Sequence, residues 1–370
     1  MKYSKVIFLS LLSVISFSLL RAQDVGAPTR VSQSRTTSAN IGKADITIKY
    51  HSPSVNGRKI FGGLIPFDFV VDGKEFPWRA GSNERTLITF SHDVKVEGKA
   101  LKAGEYGFVV LVSEKEWTLI FSSGKTWGAF NYDKANDVLR VPVKTQQAAF
   151  QEWLSYEFAN PESESVDIVL RWENTAVSFQ VETNALSNLL TDLEAKENKS
   201  AVDYQELAKR TLEQNPNAKD KALQYLETSK SMLDKEEEGQ NRTYYTLKYM
   251  FQKGELLKKM NRIKEGDALI AEALQNTTGF PIYYYALDKY MNEGKQKEGL
   301  SLLLNDLKVH PKNYPTYLAL GEIFQKEGDQ KSAVDHFKKA YELNVEQNSM
   351  GANYAQYLYL QNKLMLERGY

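Results

Sequence analysis

Val177-Ser178-Phe179-Gln180-Val181-Glu182-Thr183-Asn184 is the last stretch of this chain in which apolar and polar residues alternate one by one. Successive side chains of a strand point to opposite faces, so Val177, Phe179 and Val181 on one side with Ser178, Gln180 and Glu182 on the other is the pattern of a half-buried strand. After Asn184 the rhythm changes. Long Ala-, Leu-, Glu- and Lys-rich stretches follow with apolar residues three and four apart, which is the helical signature. The switch places a β domain at residues 23–183, a linker or helix start at 184–200, and helices over 201–370. A chain of 370 residues also exceeds what one hydrophobic core usually organises.

Upstream of the switch the two-residue period recurs. Ile46, Ile48 and Tyr50 alternate with Thr47 and Lys49. Phe108, Val110 and Val112 lead through Ser113-Glu114-Lys115-Glu116 into Trp117, Leu119 and Phe121, which predicts a hairpin. A second hairpin is expected where Val166, Ile168, Leu170 and Trp172 share a face, Glu173-Asn174-Thr175 turns, and Val177, Phe179 and Val181 return. Several such strands joined by Gly- and Pro-bearing turns imply an antiparallel all-β sandwich or barrel, and the pattern leaves both open.

Downstream, self-comparison finds a period close to the roughly 34 residues of a tetratricopeptide helix pair. The best unit, Tyr314 to about Asn344, resembles that pattern at Tyr317, Leu320, Gly321, Phe324, Gly328, Ala333, Phe337 and Ala340, with a turn at Gly328-Asp329. One period upstream stand Tyr283, Leu287, Tyr290, Gly294 and Leu303, with Pro311 at the closing position. Gly254, Leu257, Ile270 and Ala273 fit an earlier unit, and Ala222 with Leu226 a further one. Leu287 and Asp306 replace small residues, so looser packing is expected there. A last helix, about Ser349 to Glu367, is expected to cap the stack. The fold class is therefore α+β multidomain, an N-terminal antiparallel all-β sandwich or barrel followed by an all-α tetratricopeptide-like helical repeat array.

One helix pair cannot bury its own apolar stripe, so neighbours stack, and stacking curves the array into a groove. By resemblance, the groove face carries Tyr284, Asp288, Met291 and Asn292, then Leu318, Glu322, Gln325 and Lys326. An aromatic, a methionine and several polar groups suit a peptide or a partner helix.

Acidic and basic side chains balance at 47 each, so no net field gathers nucleic acid or coats an anionic membrane, and no nucleic-acid partner is expected. Lys2 and Lys5 precede an apolar run from Val6 to Leu20 and then Arg21-Ala22-Gln23, the layout of a secretory signal over residues 1–22. The run is too short and serine-rich for a comfortable span, and no later segment is apolar enough to cross a bilayer. A periplasmic or secreted protein, with no membrane span after signal cleavage, is expected. Cysteine is absent, which removes disulfides, thiolate metal sites and cysteine nucleophiles.

Several runs in the first half are familiar: Asp45-Ile46-Thr47-Ile48-Lys49-Tyr50, Ser52-Pro53-Ser54-Val55, Gly57-Arg58-Lys59-Ile60-Phe61-Gly62-Gly63-Leu64, and Trp78-Arg79-Ala80-Gly81-Ser82-Asn83-Glu84. Ala103-Gly104-Glu105-Tyr106-Gly107, Trp127-Gly128-Ala129-Phe130-Asn131-Tyr132-Asp133 and Asp137-Val138-Leu139-Arg140-Val141 follow. Over about Val31 to Thr183 the chain resembles the bacterial domain of unknown function 2911, found in exported proteins of the Bacteroidota. The resemblance implies an exported β domain, alone or with helical repeats behind it, and brings no established activity. Between Pro66 and Trp78 the chain departs from the pattern, carrying the longer Phe67-Asp68-Phe69-Val70-Val71-Asp72-Gly73-Lys74-Glu75-Phe76. Any site bordered by that loop is expected to be reshaped.

Catalytic signals are sparse. His51, His92, His310 and His336 stand far apart with no carboxylate at helical metal-ligand spacing, so neither metal nor cofactor is expected. Gly124-Lys125-Thr126 lacks the upstream glycine of a phosphate loop and reads as a turn, and no serine sits in a nucleophile elbow. The polar cluster of most interest is Trp78, Arg79, Asn83 and Glu84. With Arg58, Trp127, Asn131 and Tyr132 these residues can offer rings and planar hydrogen-bonding groups to a small ligand such as a sugar or an aromatic. The competing reading makes Trp78 and Trp127 core anchors and Arg79 with Glu84 a structural ion pair.

The expected function is an exported, non-catalytic binding or scaffolding protein, its repeat groove contacting a protein or peptide partner and its β domain either docking that partner or holding a small ligand. The alternative is a hydrolase acting on saccharide or peptide, with Glu84 and one of Asp133, Asp137 or Glu157 as acid and base. A purely structural subunit is the third class, and it predicts an exposed apolar patch on the array.

Overall fold

The computed structural model describes residues 30–124, 132–347 and 352–368, so the signal-like leader lies outside the described residues. The chain divides into two units between Glu182 and Thr183. The first contains the strands Gln33–Ile41 (β1), Ala44–Ser52 (β2), Val70–Val71 (β3), Lys74–Glu75 (β4), Thr86–Phe90 (β5), Val94–Val96 (β6), Lys99–Leu101 (β7), Gly104–Leu111 (β8), Glu116–Ser122 (β9), Asp137–Ala159 (β10) and Ser165–Thr183 (β11). Nine of them form one antiparallel sheet in the order β1-β2-β5-β8-β9-β10-β11-β6-β7, and β3 pairs with β4.

The alternating residues behave as their period requires. Ile46 and Ile48 of β2 are buried opposite Phe90 and Ile88 of β5. The hairpin expected around Ser113 to Glu116 joins β8 to β9, with Phe108 opposite Phe121 and Val110 opposite Leu119. Strand β10 closes the unit. Its first stretch pairs with β9 and its second with β11. That second stretch also meets the chain leaving β2, where Val55 N–H donates to Glu152 O at 2.8 Å and Leu154 N–H to Pro53 O at 3.0 Å. One long strand thus serves two faces of the fold, and a shared core takes Ile48, Phe108, Phe121, Trp172 and Phe179 from β2, β8, β9 and β11.

The second expected hairpin does not form. β11 continues through Glu173-Asn174-Thr175 as one 19-residue strand. Glu173 adopts φ 54°, and the β10–β11 register shifts between Gln147, Gln151 and Ser155. The buried face passes from Val166, Ile168, Leu170 and Trp172 to Val177, Phe179 and Val181, from even to odd positions. Across this stretch β10 advances four residues where β11 advances two, so the extra residues of the bulge lie on β10, and the turn-forming residues of β11 kink the strand rather than reverse it.

The second unit consists, among the described residues, of helices Ala185–Ala195 (α1), Ala201–Gln214 (α2), Lys219–Leu233 (α3), Gln240–Lys259 (α4), Ile263–Asn276 (α5), Phe280–Leu287 (α6), Gln296–Val309 (α7), Tyr314–Glu327 (α8), Gln330–Glu346 (α9) and Ala352–Glu367 (α10). Their ends are written in the sequence. Asn184 accepts from Ser187 N–H at 2.7 Å to start α1, and Ser200 with Asp203 forms a capping box on α2. Gly328, at φ 81°, closes α8 in the left-handed conformation, and Asp329 accepts from Ser332 N–H at 3.0 Å to open α9.

Helices pack in consecutive pairs, α2 with α3, α4 with α5, α6 with α7 and α8 with α9, and α10 lies on α9. Small residues set the distance. A Cβ added at Gly266 would stand 2.5 Å from Gly254 O, and one at Gly299 would stand 2.7 Å from Ala286 O. Gly266 and Gly299 stand 33 residues apart, and each brings its helix against a backbone carbonyl of the helix before it. The unit with Leu287 and Asp306 adapts in another way. A π-helical turn, Asp288–Asn292, follows Leu287, and Asp306 is fully buried, accepting from Asn313 Nδ2 at 2.8 Å and from Thr316 Oγ1.

Glu293, just past that turn, has a side chain only 12% exposed and binds Lys209 at 2.9 Å, Lys289 at 2.8 Å and Lys295 at 3.0 Å. Burial works to raise its pKa, but the three ammonium groups outweigh burial and hold it well below the ordinary carboxylate value. A depressed folded-state pKa stabilises the fold above the unfolded value of 4.5 and loses that contribution as pH falls below it. Glu293→Gln is therefore expected to cost about 2 kcal/mol at pH 7. The melting-temperature gap to the parent should narrow toward pH 3, whereas an equal gap at both pH values would show that the cluster carries no charge-dependent stability.

Candidate functional sites

The run Trp78 to Glu84 forms a tightly held corner beside β8. Trp78 and Val110 exchange backbone hydrogen bonds of 2.8 Å. The Trp78 ring stacks on Trp172, with centroids 5.9 Å apart and planes at 20°, and meets Phe61 and Trp117 edge-on. Its Nε1–H donates to Gly81 O at 3.1 Å. Ala80 is fully buried at φ 51°, a conformation that costs a residue with a Cβ roughly 1–2 kcal/mol. Two buried hydroxyls offset that strain, Tyr156 donating to Ala80 O at 2.7 Å and Thr86 at 3.0 Å.

The candidate residues around this corner separate into clusters. Arg79 donates to Asn83 O, and Asn83 Nδ2 donates to Ser32 O at 3.2 Å. Glu84 accepts from Arg30 and lies 3.1 Å from His51 Nε2. The Arg30 bond above all, with His51 beside it, lowers the Glu84 pKa. Arg58 is exposed and ties its own loop, donating to Val55 O at 3.0 Å and Ser54 O at 2.7 Å. Tyr132 donates to Asp137 at 2.6 Å, burial and that carboxylate raising its pKa, and Arg140 joins Asp137 at 2.9 Å. Trp127 and Asn131 lie outside the described residues.

Of these candidates, Trp78 and Arg79 reach a concavity of about 520 Å³. Phe69, Val70 and Phe76 from the segment after Pro66, with Leu64 before it, form its wall opposite Val112. The β3–β4 hairpin that makes this wall is pinned. Asp68 N–H donates to Val112 O at 2.8 Å, Phe76 N–H to Phe69 O at 3.1 Å, and the Arg140 guanidinium forks onto Glu75 at 3.0 and 3.1 Å. The sequence marked this loop as a departure, and its Phe69, Val70 and Val71 are exposed.

In the helical unit the expected groove residues of the first repeat do come together. Tyr284, Asp288, Met291 and Asn292 line one concavity of about 500 Å³ with Tyr244 and Phe280. Tyr284 is 55% exposed, and its ring stacks on Phe280 at 5.8 Å. The π-helical turn carries Asp288, Met291 and Asn292, and Asn292 Nδ2 donates to Asp288 at 3.0 Å. Such turns interrupt helices frequently at functional sites. Tyr244 and Tyr245 escaped the sequence reading because α4 begins at Gln240, earlier than the 34-residue spacing between the starts of α6 and α8 places it. That extra turn brings Gln240, Asn241 and both tyrosines to the cavity.

The second set divides. Leu318 is 1% exposed and packs with Phe337 and Leu358, so it belongs to the core and not to a groove surface. Glu322 is half-buried and accepts from Tyr283 at 2.6 Å, burial raising its pKa. Gln325 is half-buried, while Lys326 is exposed, 3.1 Å from Met291 Sδ and above the Tyr290 ring. Burial and a hydrogen bond to Glu327 push the Tyr290 hydroxyl up to about 12.

Among the described residues no group of three or more His, Asp and Glu could hold a metal ion, and no helix is long and apolar enough to cross a membrane. A family described as Protein of unknown function (DUF2911) matches residues 32–181. The match supports the domain resemblance read from the sequence and ends before α1 begins. A comparison with curated proteins finds no match.

Proposed function

We propose that this chain is an exported, non-catalytic binding or scaffolding protein whose tetratricopeptide-like groove holds an extended peptide segment of a protein partner. The leader-like first 22 residues support a periplasmic or secreted location. The carrying observation is the convergence of Tyr284, Asp288, Met291 and Asn292 with Gln240, Asn241, Tyr244 and Phe280 on one cavity. Rings supply flat apolar area at low entropic cost, and side-chain amides match the alternating donors and acceptors of a peptide backbone.

The test is selection of binding peptides from a random displayed library on the full chain, followed by titration of the enriched peptides. Tyr284→Ala and Asn292→Ala are each expected to weaken those peptides about tenfold, equal to about 1.4 kcal/mol. Tyr284 is largely exposed, so its loss leaves the fold intact. Enriched peptides that bind both variants as tightly as the parent, or a library that yields none, would refute the groove.

A further inference from the structure

The cavity against β3–β4 belongs to the first unit, and the chemistry of its lining points to a ligand class. Leu64, Phe69 and Val70 line it while remaining 51%, 41% and 53% exposed, and Val71 and Phe67 beside them are 41% and 36% exposed. Five large apolar side chains left in water within eight residues form a patch of the kind that marks a binding surface. Its volume of about 520 Å³ falls in the range of small-molecule sites, roughly 300–1,000 Å³.

The wall is preorganised. Trp78 is fixed by its stack on Trp172 and its bond to Gly81, Phe69 meets Phe76 edge-on at 5.5 Å, and Arg140 grips Glu75. The charges at the cavity have a sign. Glu75 is neutralised by Arg140 and Lys134, and the Arg79 guanidinium is turned to Asn83 O. Asp68 and Glu116, both exposed, also line the cavity, and among the described residues their carboxylates form no ion pair. An apolar, aromatic-walled pocket in which two exposed carboxylates outnumber the one guanidinium of Arg79, itself turned to Asn83 O, accepts a body without charge and a head with positive charge.

We propose that this cavity binds an organic cation, a primary or quaternary amine carried on an aromatic or branched aliphatic body. The body lies against Trp78, Phe69 and Leu64, and the ammonium faces Asp68 and Glu116. Neutral and anionic molecules of the same shape gain the apolar contact without the charge.

The experiment titrates the full chain with 2-naphthylmethylamine, 2-naphthalenemethanol and 2-naphthoate by calorimetry. The amine is expected to bind about tenfold more tightly than the alcohol, a difference of about 1.4 kcal/mol, and the carboxylate most weakly. Asp68→Asn combined with Glu116→Gln should bring amine and alcohol to parity, and raising salt from 20 to 500 mM should do most of the same by screening. Phe69→Ala should weaken amine and alcohol alike by about fivefold, and because Phe69 is exposed this variant keeps its fold. A carboxylate that binds as well as the amine, an amine affinity unmoved by the double variant or by Phe69→Ala, or no binding of any of the three would overturn the proposal. Loss of peptide binding in the groove variants leaves it standing.

Discussion

Trp172→Ala is expected to destabilise the β unit by about 3–5 kcal/mol, the cost of emptying a large aromatic site in a closed core. Trp172 is 1% exposed and holds Trp78 by face-to-face stacking and Phe61 by an edge contact at 6.1 Å. Removing it leaves a void that neither ring can fill without giving up its own anchor, the Trp78 bond to Gly81 and the Phe61 contact with Trp117 at 4.7 Å. Trp172→Phe should cost only about 1 kcal/mol, because it keeps a ring in place and removes an indole N–H that is buried without a partner among the described residues. Denaturant unfolding of the full chain, followed by tryptophan fluorescence, measures both. Equal costs for the two variants would mean that the aromatic stack does not organise this core. Since Trp78 is also the floor of the neighbouring cavity, Trp172→Ala should abolish amine binding there.

Gly266→Val is expected to be comparably damaging in the helical unit, about 3 kcal/mol, the upper part of the range for overpacking. The atom it strikes is backbone. A Cβ at Gly266 would stand 2.5 Å from Gly254 O and 2.7 Å from Lys258 Cγ, and while the lysine stem can move, the carbonyl moves only with α4. The α4–α5 pair must separate, and α4 is the helix that presents Tyr244 to the groove. Thermal unfolding by circular dichroism reads the loss. Gly239→Ala is the control, since its φ of 177° suits any residue and nothing lies within 4 Å of the added atom. It should shift stability by less than about 0.5 kcal/mol, and a Gly266→Val protein as stable as that control would refute the close helix contact.

The two rhythms of the sequence carried the α+β architecture, because burial forces a period of two on a sheet and of three to four on a helix. Individual strands were less legible. Glu173-Asn174-Thr175 has the composition of a turn, and the run of even then odd apolar positions across it was the clue to a kink within one continuous strand. Residues far apart along the chain were harder still. Glu293 gathers lysines from α2, from the π-helical turn and from the loop after it, a meeting that no local spacing announces. Tyr284, named from the helical spacing, does line a concavity. At Leu318 the residue faces Phe337 and Leu358, and the period alone did not foresee that Leu358 of α10 would cover it.

The groove remains the point on which the proposed function depends, and Met291 offers a direct probe inside it. With methionine methyl groups isotopically labelled and a selected peptide titrated into the full chain, the Met291 resonance should shift in proportion to occupancy. Met232, which packs against the α2–α3 core, should stay in place. A peptide that binds while the Met291 resonance stays where it was would contradict the account.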